Sequence, residues 1–186
     1  MAAVLLFHHA QGLTAGCLAL ADELRAAGHV VHAPDLYEGR TFGELADGVA
    51  YAEEVGFDTI VERGRLAAES LPPDLVYLGL SLGVMPAQTL AQTRPGAKGA
   101  VLVHAAVSTE YLGPWPEGVP LQLHTMEDDE QGDADVAREL AEEVKGAELF
   151  LYPGDRHLFT DKSLAAYDEE ATALVKDRVL RFLAGL

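Results

Sequence analysis

Three groups of residues in this chain could together carry acyl transfer. They are a serine framed by glycines at Gly79-Leu80-Ser81-Leu82-Gly83, a histidine in the loop Gly154-Asp155-Arg156-His157, and an acidic run at Glu127-Asp128-Asp129-Glu130. Ser81 follows the apolar stretch Leu75-Val76-Tyr77-Leu78 and precedes Val84, Ala87, Leu90 and Ala91 at helical intervals, so it stands where a strand turns into a helix. In such a turn, side chains two residues to either side of the serine would collide as strand and helix close, so glycine at 79 and 83 has a steric cause. The hydroxyl is thrust off the strand end, where it could attack a carbonyl.

A serine needs a base, and an imidazole with an unperturbed pKa near neutrality suits that work. Of the seven histidines, His29 and His32 lie on an early strand, and His104 and His124 sit at strand ends as core or supporting groups. His157 alone follows the last strand in a glycine-bearing loop, which makes it the candidate base for Ser81. Adjacent His8 and His9 point to opposite faces of a strand end, which argues against a shared metal site. A carboxylate from the run at 127–130 would hold the histidine tautomer, and spacing alone does not choose among the four. The oxyanion would take the N–H of Leu82 and a second N–H from the loop His9-Ala10-Gln11, with Ala10 the candidate and Gly12 allowing the sharp turn.

These groups require a frame. Apolar strand candidates near 3–8, 29–33, 75–80, 99–104, 119–124 and 147–152 alternate with helical patterns near 15–27, 58–70, 82–93, 133–145 and 168–184. That alternation predicts a mostly parallel sheet with helices on both faces, whose ligands gather beyond the carboxyl ends of the strands. Gly28 and Gly146 stand where helices should end. The last helix is expected to dock through Ala171, Leu174, Val175, Val179 and Phe182. Residues 34–57, with five of their positions Pro34, Gly39, Gly43, Gly48 and Gly56, form the least regular part and a candidate pocket wall or lid.

With 186 residues, 49% of them hydrophobic, the chain can bury one substantial core, and a single domain over 1–186 is expected. The net charge of −17 disfavours nucleic acid and anionic membranes as partners. A single cysteine excludes an internal disulfide, and no apolar run is long enough to cross a bilayer, so a cytoplasmic protein is expected. Cys17 shares a helical face with Leu20, Ala21 and Leu24 and reads as a small core residue.

Taken together, Pro34-Asp35-Leu36-Tyr37, the Ser81 turn, the loop at Asp129 and Gly154-Asp155-Arg156-His157-Leu158-Phe159 resemble the dienelactone hydrolase family of α/β-hydrolases. The resemblance runs over nearly the whole chain. It implies a compact α/β-hydrolase fold with little or no cap and without the family's leading strands. It also implies Ser81 as nucleophile, His157 as base and Asp129 as acid, since the family's acid stands five residues after a strand-end histidine that His124 matches; Asp128 is the reserve. Founding members use cysteine where this chain has Ser81, a carboxylate where it has His9, and substrate-binding arginines where it has Asp47 and Asp161.

A carboxylate substrate would meet repulsion at those two aspartates, so the expected substrate is a small neutral or weakly polar ester, lactone or thioester, hydrolysed without metal or organic cofactor. His9, Gln11, Tyr37, Trp115 and Phe159, with Phe42 and Tyr111, are candidates for the pocket wall, although core packing is the plainer role for the aromatic ones. The alternative is an idle hydrolase fold that binds a small molecule or partner. A nucleotide-binding sheet lacks the glycine-rich phosphate loop it would need. Self-association as a homodimer stays open.

Overall fold

A computed structural model describes all of residues 1–186. Six strands, β1 (Ala3–Phe7), β2 (Val30–His32), β3 (Leu75–Leu80), β4 (Gly99–Val103), β5 (Leu121–Met126) and β6 (Glu148–Tyr152), form one sheet in the order β2-β1-β3-β4-β5-β6. Every neighbouring pair is parallel. Between them run α1 (Ala15–Ala26), α2 (Leu45–Val55), α3 (Phe57–Glu69), α4 (Val84–Thr93), the single turn α5 (Thr109–Leu112) and α6 (Ala134–Glu143), and α7 (Glu169–Ala184) closes the chain.

Alternation along each strand divides the core into two layers. Leu5 and Phe7 of β1, Tyr77 of β3 and Leu102 of β4 face one side with Ile60, Val84 and Leu140 of the helices. Val4, Leu6, Val76, Leu78 and Val101 face the other, under Cys17 and Leu24 of α1 and Val175 and Leu183 of α7. All six residues of β3 are buried, as a central strand covered on both faces requires. Truncating one of these side chains to alanine should cost about 2–5 kcal/mol. No helix is long and apolar enough to cross a membrane.

The chain lays β1 in the interior, steps out to edge strand β2, then returns across β1 to place β3 on its other side. That reversal separates the loops leaving β1 and β3 and opens a crevice beyond their carboxyl ends. Ser81 and the His9-Ala10-Gln11 loop flank it.

Two expectations need correction. Residues 34–57 are not irregular throughout: they contain the eleven-residue helix α2. Gly48 reads as a helix breaker in sequence, but its conformation is ordinary and its missing side chain serves a close approach described below. On α7, Leu174 is 48% exposed, and the docking face is carried by Ala171, Thr172, Val175, Val179 and Leu183. The apolar residues at 174 and 182 lie one step off the centre of the stripe.

Candidate active site

At the end of β3 the backbone turns through Ser81 with φ +49°, a left-handed conformation that costs a residue with a side chain about 1–3 kcal/mol and that the surroundings must enforce. The glycines on either side show how tightly. A Cβ on Gly79 would lie 2.5 Å from the Gly83 carbonyl oxygen, and one on Gly83 would lie 2.3 Å from the carbonyl oxygen of Phe7 at the end of β1. Strand, turn and neighbouring strand are therefore in backbone contact. A single 3-10 turn, Ser81–Gly83, leads into α4 and puts the Leu82 N–H at the start of the helical segment.

The Ser81 hydroxyl lies 2.8 Å from Nε2 of His157. Across the ring, Nδ1 lies 2.7 Å from Oδ2 of Asp129. The carboxylate accepts the Nδ1–H, which leaves the Nε2 lone pair to take the serine proton. The structure thus brings together the three side chains on which the sequence reading converged, from the loops after β3, β5 and β6. Asp129 is only 4% exposed, whereas Glu127, Asp128 and Glu130 are exposed. Its second oxygen accepts the Gln131 N–H at 3.0 Å. Gly132 makes room, since a Cβ there would lie 2.5 Å from Asp129 Oδ2.

The loop after β1 is fixed from several directions. Gly12, at φ +91°, closes a turn by donating its N–H to the His9 carbonyl at 3.0 Å. The Gln11 carbonyl accepts from Phe42 N–H at 3.0 Å, and the Gln11 amide donates to the carbonyls of Phe42 and Gly43 at 3.0 and 2.9 Å. Segment 40–48 is thereby strapped to this loop. The N–H of Ala10 makes no hydrogen bond within the protein.

Several candidates for the pocket wall are placed elsewhere. Tyr37 is fully buried, donates to the Gly48 carbonyl at 3.2 Å and packs against His8, Phe42 and Tyr51; burial raises its pKa above the ordinary tyrosine value. Phe159 is fully buried against His104 and Tyr152. Gln11 is 4% exposed, with its amide used on the strap. Trp115 donates to the Val119 carbonyl at 2.7 Å and lines a groove with Glu143 and Gly146 before β5, at the opposite end of the strands from Ser81. Tyr111 is 83% exposed beside the same groove. Size and apolar character are the same for a core aromatic and a pocket wall, so composition did not separate them.

His9 is likewise no pocket residue: it is 1% exposed, and its Nε2 lies 2.8 Å from Oδ2 of Asp161, itself 2% exposed. The charge of Asp161 is met inside the protein and does not repel a substrate, while Asp47 is exposed in the first turn of α2. His124 is a core group, held between the Tyr152 hydroxyl and the Gln122 amide oxygen at 2.8 and 2.9 Å. His104 lies behind the site: its ring centroid is 5.8 Å from that of His157, and its Nε2 is 2.7 Å from the Thr160 hydroxyl. Sequence reasoning gave no role to Thr14, Gly132 or Thr160, because their contribution is a close approach or a distant hydrogen bond that leaves no periodic trace.

The sequence matches the dienelactone hydrolase family over residues 1–186. Among solved structures, a dienelactone hydrolase-like promiscuous phosphotriesterase from metagenomic libraries is similar, with TM-score 0.76 and 17% identity over 100% of this chain and 87% of its own. A dienelactone hydrolase from Anabaena variabilis gives TM-score 0.69 and 17% identity over 97% of this chain and 84% of its own. Est1E from Butyrivibrio proteoclasticus, with ferulic acid bound, gives 0.71 and 17% over 100% and 89%. No curated protein matches the sequence significantly. With its parallel sheet and a family match along its full length, the chain is an α/β-hydrolase that belongs to the dienelactone hydrolase family.

Proposed function

We propose that this protein is a serine hydrolase that cleaves a small neutral ester, lactone or thioester through an acyl-enzyme. The observation that carries the reading is the continuous hydrogen-bonded line Ser81 Oγ, His157 Nε2, His157 Nδ1 and Asp129 Oδ2, at 2.8 and 2.7 Å. Ser81 attacks the carbonyl as His157 takes its proton, and Asp129 stabilises the imidazolium that forms. The N–H groups of Leu82 and Ala10 receive the developing oxyanion. His157 then gives the proton to the departing alcohol or thiol, and water repeats the sequence to release the acid.

A neutral substrate fits the charge around the site. Glu127, Asp128 and Glu130 are exposed on the loop that carries Asp129, and the whole chain carries −17. A carboxylate would approach against that field. Incubation with a fluorophosphonate probe and a panel of chromogenic esters tests the reading. The wild type should be labelled and should turn over short-chain esters, and Ser81→Ala should do neither while keeping its melting temperature. Labelling that survives the substitution removes Ser81 from the reaction. An unlabelled wild type points instead to an idle fold.

A further inference from the structure

The His9–Asp161 pair is buried, hydrogen-bonded and unused by the reaction just described, yet it joins the two loops on which that reaction depends. His9 directly precedes Ala10, the proposed oxyanion donor. Asp161 lies four residues after His157, and its N–H donates to the Leu158 carbonyl at 3.0 Å, closing the turn that follows the base. We propose that His9 and Asp161 are positioning residues that lock the oxyanion loop to the His157 loop, so that donor and base hold one spacing before substrate arrives. The proposal rests on the hydrolase reading for its catalytic consequence, but not for the coupling itself.

The surroundings of Asp161 are built to fix one geometry. Oδ2 accepts from His9 at 2.8 Å and from the Thr14 hydroxyl, and Oδ1 accepts from the Ser163 N–H and hydroxyl at 2.8 and 2.6 Å. Thr14 is also the N-cap of α1, taking the Cys17 N–H at 3.1 Å, so the carboxylate sits at the positive end of a twelve-residue helix. Gly16 leaves the space it occupies: a Cβ there would lie 1.6 Å from Asp161 Oδ1. Three segments, 9–11, 14–17 and 157–163, therefore meet on one side chain.

A buried ion pair adds little net stability over a well-packed apolar pair, but it holds direction as an apolar contact does not. The same cluster of His9, Cys17 and Asp161 is compact enough to hold a metal ion. A cation is not needed there, since both carboxylate oxygens already have donors. Misplacing a reacting group by about 1 Å can cost on the order of a hundredfold in rate, so a lock between these loops has a measurable effect.

The test is reciprocal. His9→Ala and Asp161→Ala are compared with wild type by turnover of p-nitrophenyl acetate and by amide hydrogen exchange of segments 8–12 and 155–162. Each variant should lose at least about tenfold in kcat with KM changed by less than about threefold, and each should speed exchange in the segment opposite the substitution. His9→Gln, whose side-chain N–H can still donate to Asp161, should recover most of kcat, and His9→Leu, of similar size but without a donor, carries the comparison if an alanine variant does not fold. Folded variants with unchanged kcat, or faster exchange confined to the substituted segment, overturn the proposal. If the wild type neither turns over the ester nor reacts with a fluorophosphonate, the hydrolase reading fails separately, and the exchange data still decide whether the loops are coupled.

Discussion

A methyl group on Gly48 would stand 2.1 Å from the carbonyl oxygen of Ala10 and 3.1 Å from the amide nitrogen of Gln11. Helix α2 is thus pressed, backbone to backbone, on the loop that offers the Ala10 N–H. Because Gly48 has no left-handed φ, alanine there is opposed by contact alone. Gly48→Ala should push the loop aside and lower kcat for a short-chain ester by about 10–100-fold. Val49→Ala, on the partly exposed next position, should leave kcat within about twofold. Equal activity of the two variants would show that the position of the loop does not matter.

The two neighbouring aspartates separate cleanly. Asp129 is buried on His157 Nδ1, while Asp128 is exposed and only its backbone N–H is used, on the Gly154 carbonyl at 3.0 Å. An amide at 129 can donate to Nδ1 and so favours the tautomer with its proton on Nε2, where it blocks the serine. Asp129→Asn should therefore reduce kcat by about a thousandfold or more, and Asp128→Asn by less than about threefold. Steady-state kinetics of the two variants on one ester decides it.

What could be read from sequence follows from what leaves a local mark. Ser81 and His157 were legible because glycines and a strand announce the turns that carry them. Asp129 was not separable from Asp128 by pattern, since both lie in one acidic run; only the turn closed by Gly132 selects which points inward. Helix α2 was missed for a related reason. Glycine in sequence suggests a flexible loop, but Gly48 is needed for its lack of volume. The His9–Asp161 contact spans 152 positions, and nothing near either residue foretells the other.

Two glycines should respond oppositely to the same change. A Cβ on Gly83 would lie 2.3 Å from the Phe7 carbonyl oxygen and 2.7 Å from that of His8, both backbone atoms of β1 and its exit, so neither can yield cheaply. Gly83→Ala should destabilise by about 1–3 kcal/mol or more and displace Ser81. Gly43 has open space within 4 Å and no left-handed φ, so Gly43→Ala should be neutral or stabilising by about 0.4–1 kcal/mol. Urea unfolding of both variants supplies the comparison.

Acid should unfold this protein early, because three histidines are buried neutral. Burial lowers His8 to about 4 and His124 to about 3, and it holds His104 well below its ordinary value, with the neighbouring His157 adding to the effect. A folded pKa below the unfolded one, near 6.5, means that the unfolded chain binds protons first as pH falls. Stability is then full above about pH 6.5 and declines below it, by about 4 kcal/mol per pH unit once all three sites are protonated in the unfolded chain. Asp161 acts with the same sign at lower pH: burial opposes its ionisation, but His9, Ser163 and Thr14 outweigh burial and hold its pKa down. His9 has the opposite sign. Burial alone would lower its pKa, but Asp161, hydrogen-bonded to it at 2.8 Å, together with the neighbouring Cys17, outweighs burial and raises it to about 9. Its contribution is complete below about pH 6.5 and fades as pH rises through 9. Melting temperature should therefore be highest near pH 6.5–7 and fall steeply between pH 6 and 4, with a shallower decline between about pH 7 and 9, and a flat profile from pH 7 to 4.5 would show that these imidazoles are not buried in the neutral form.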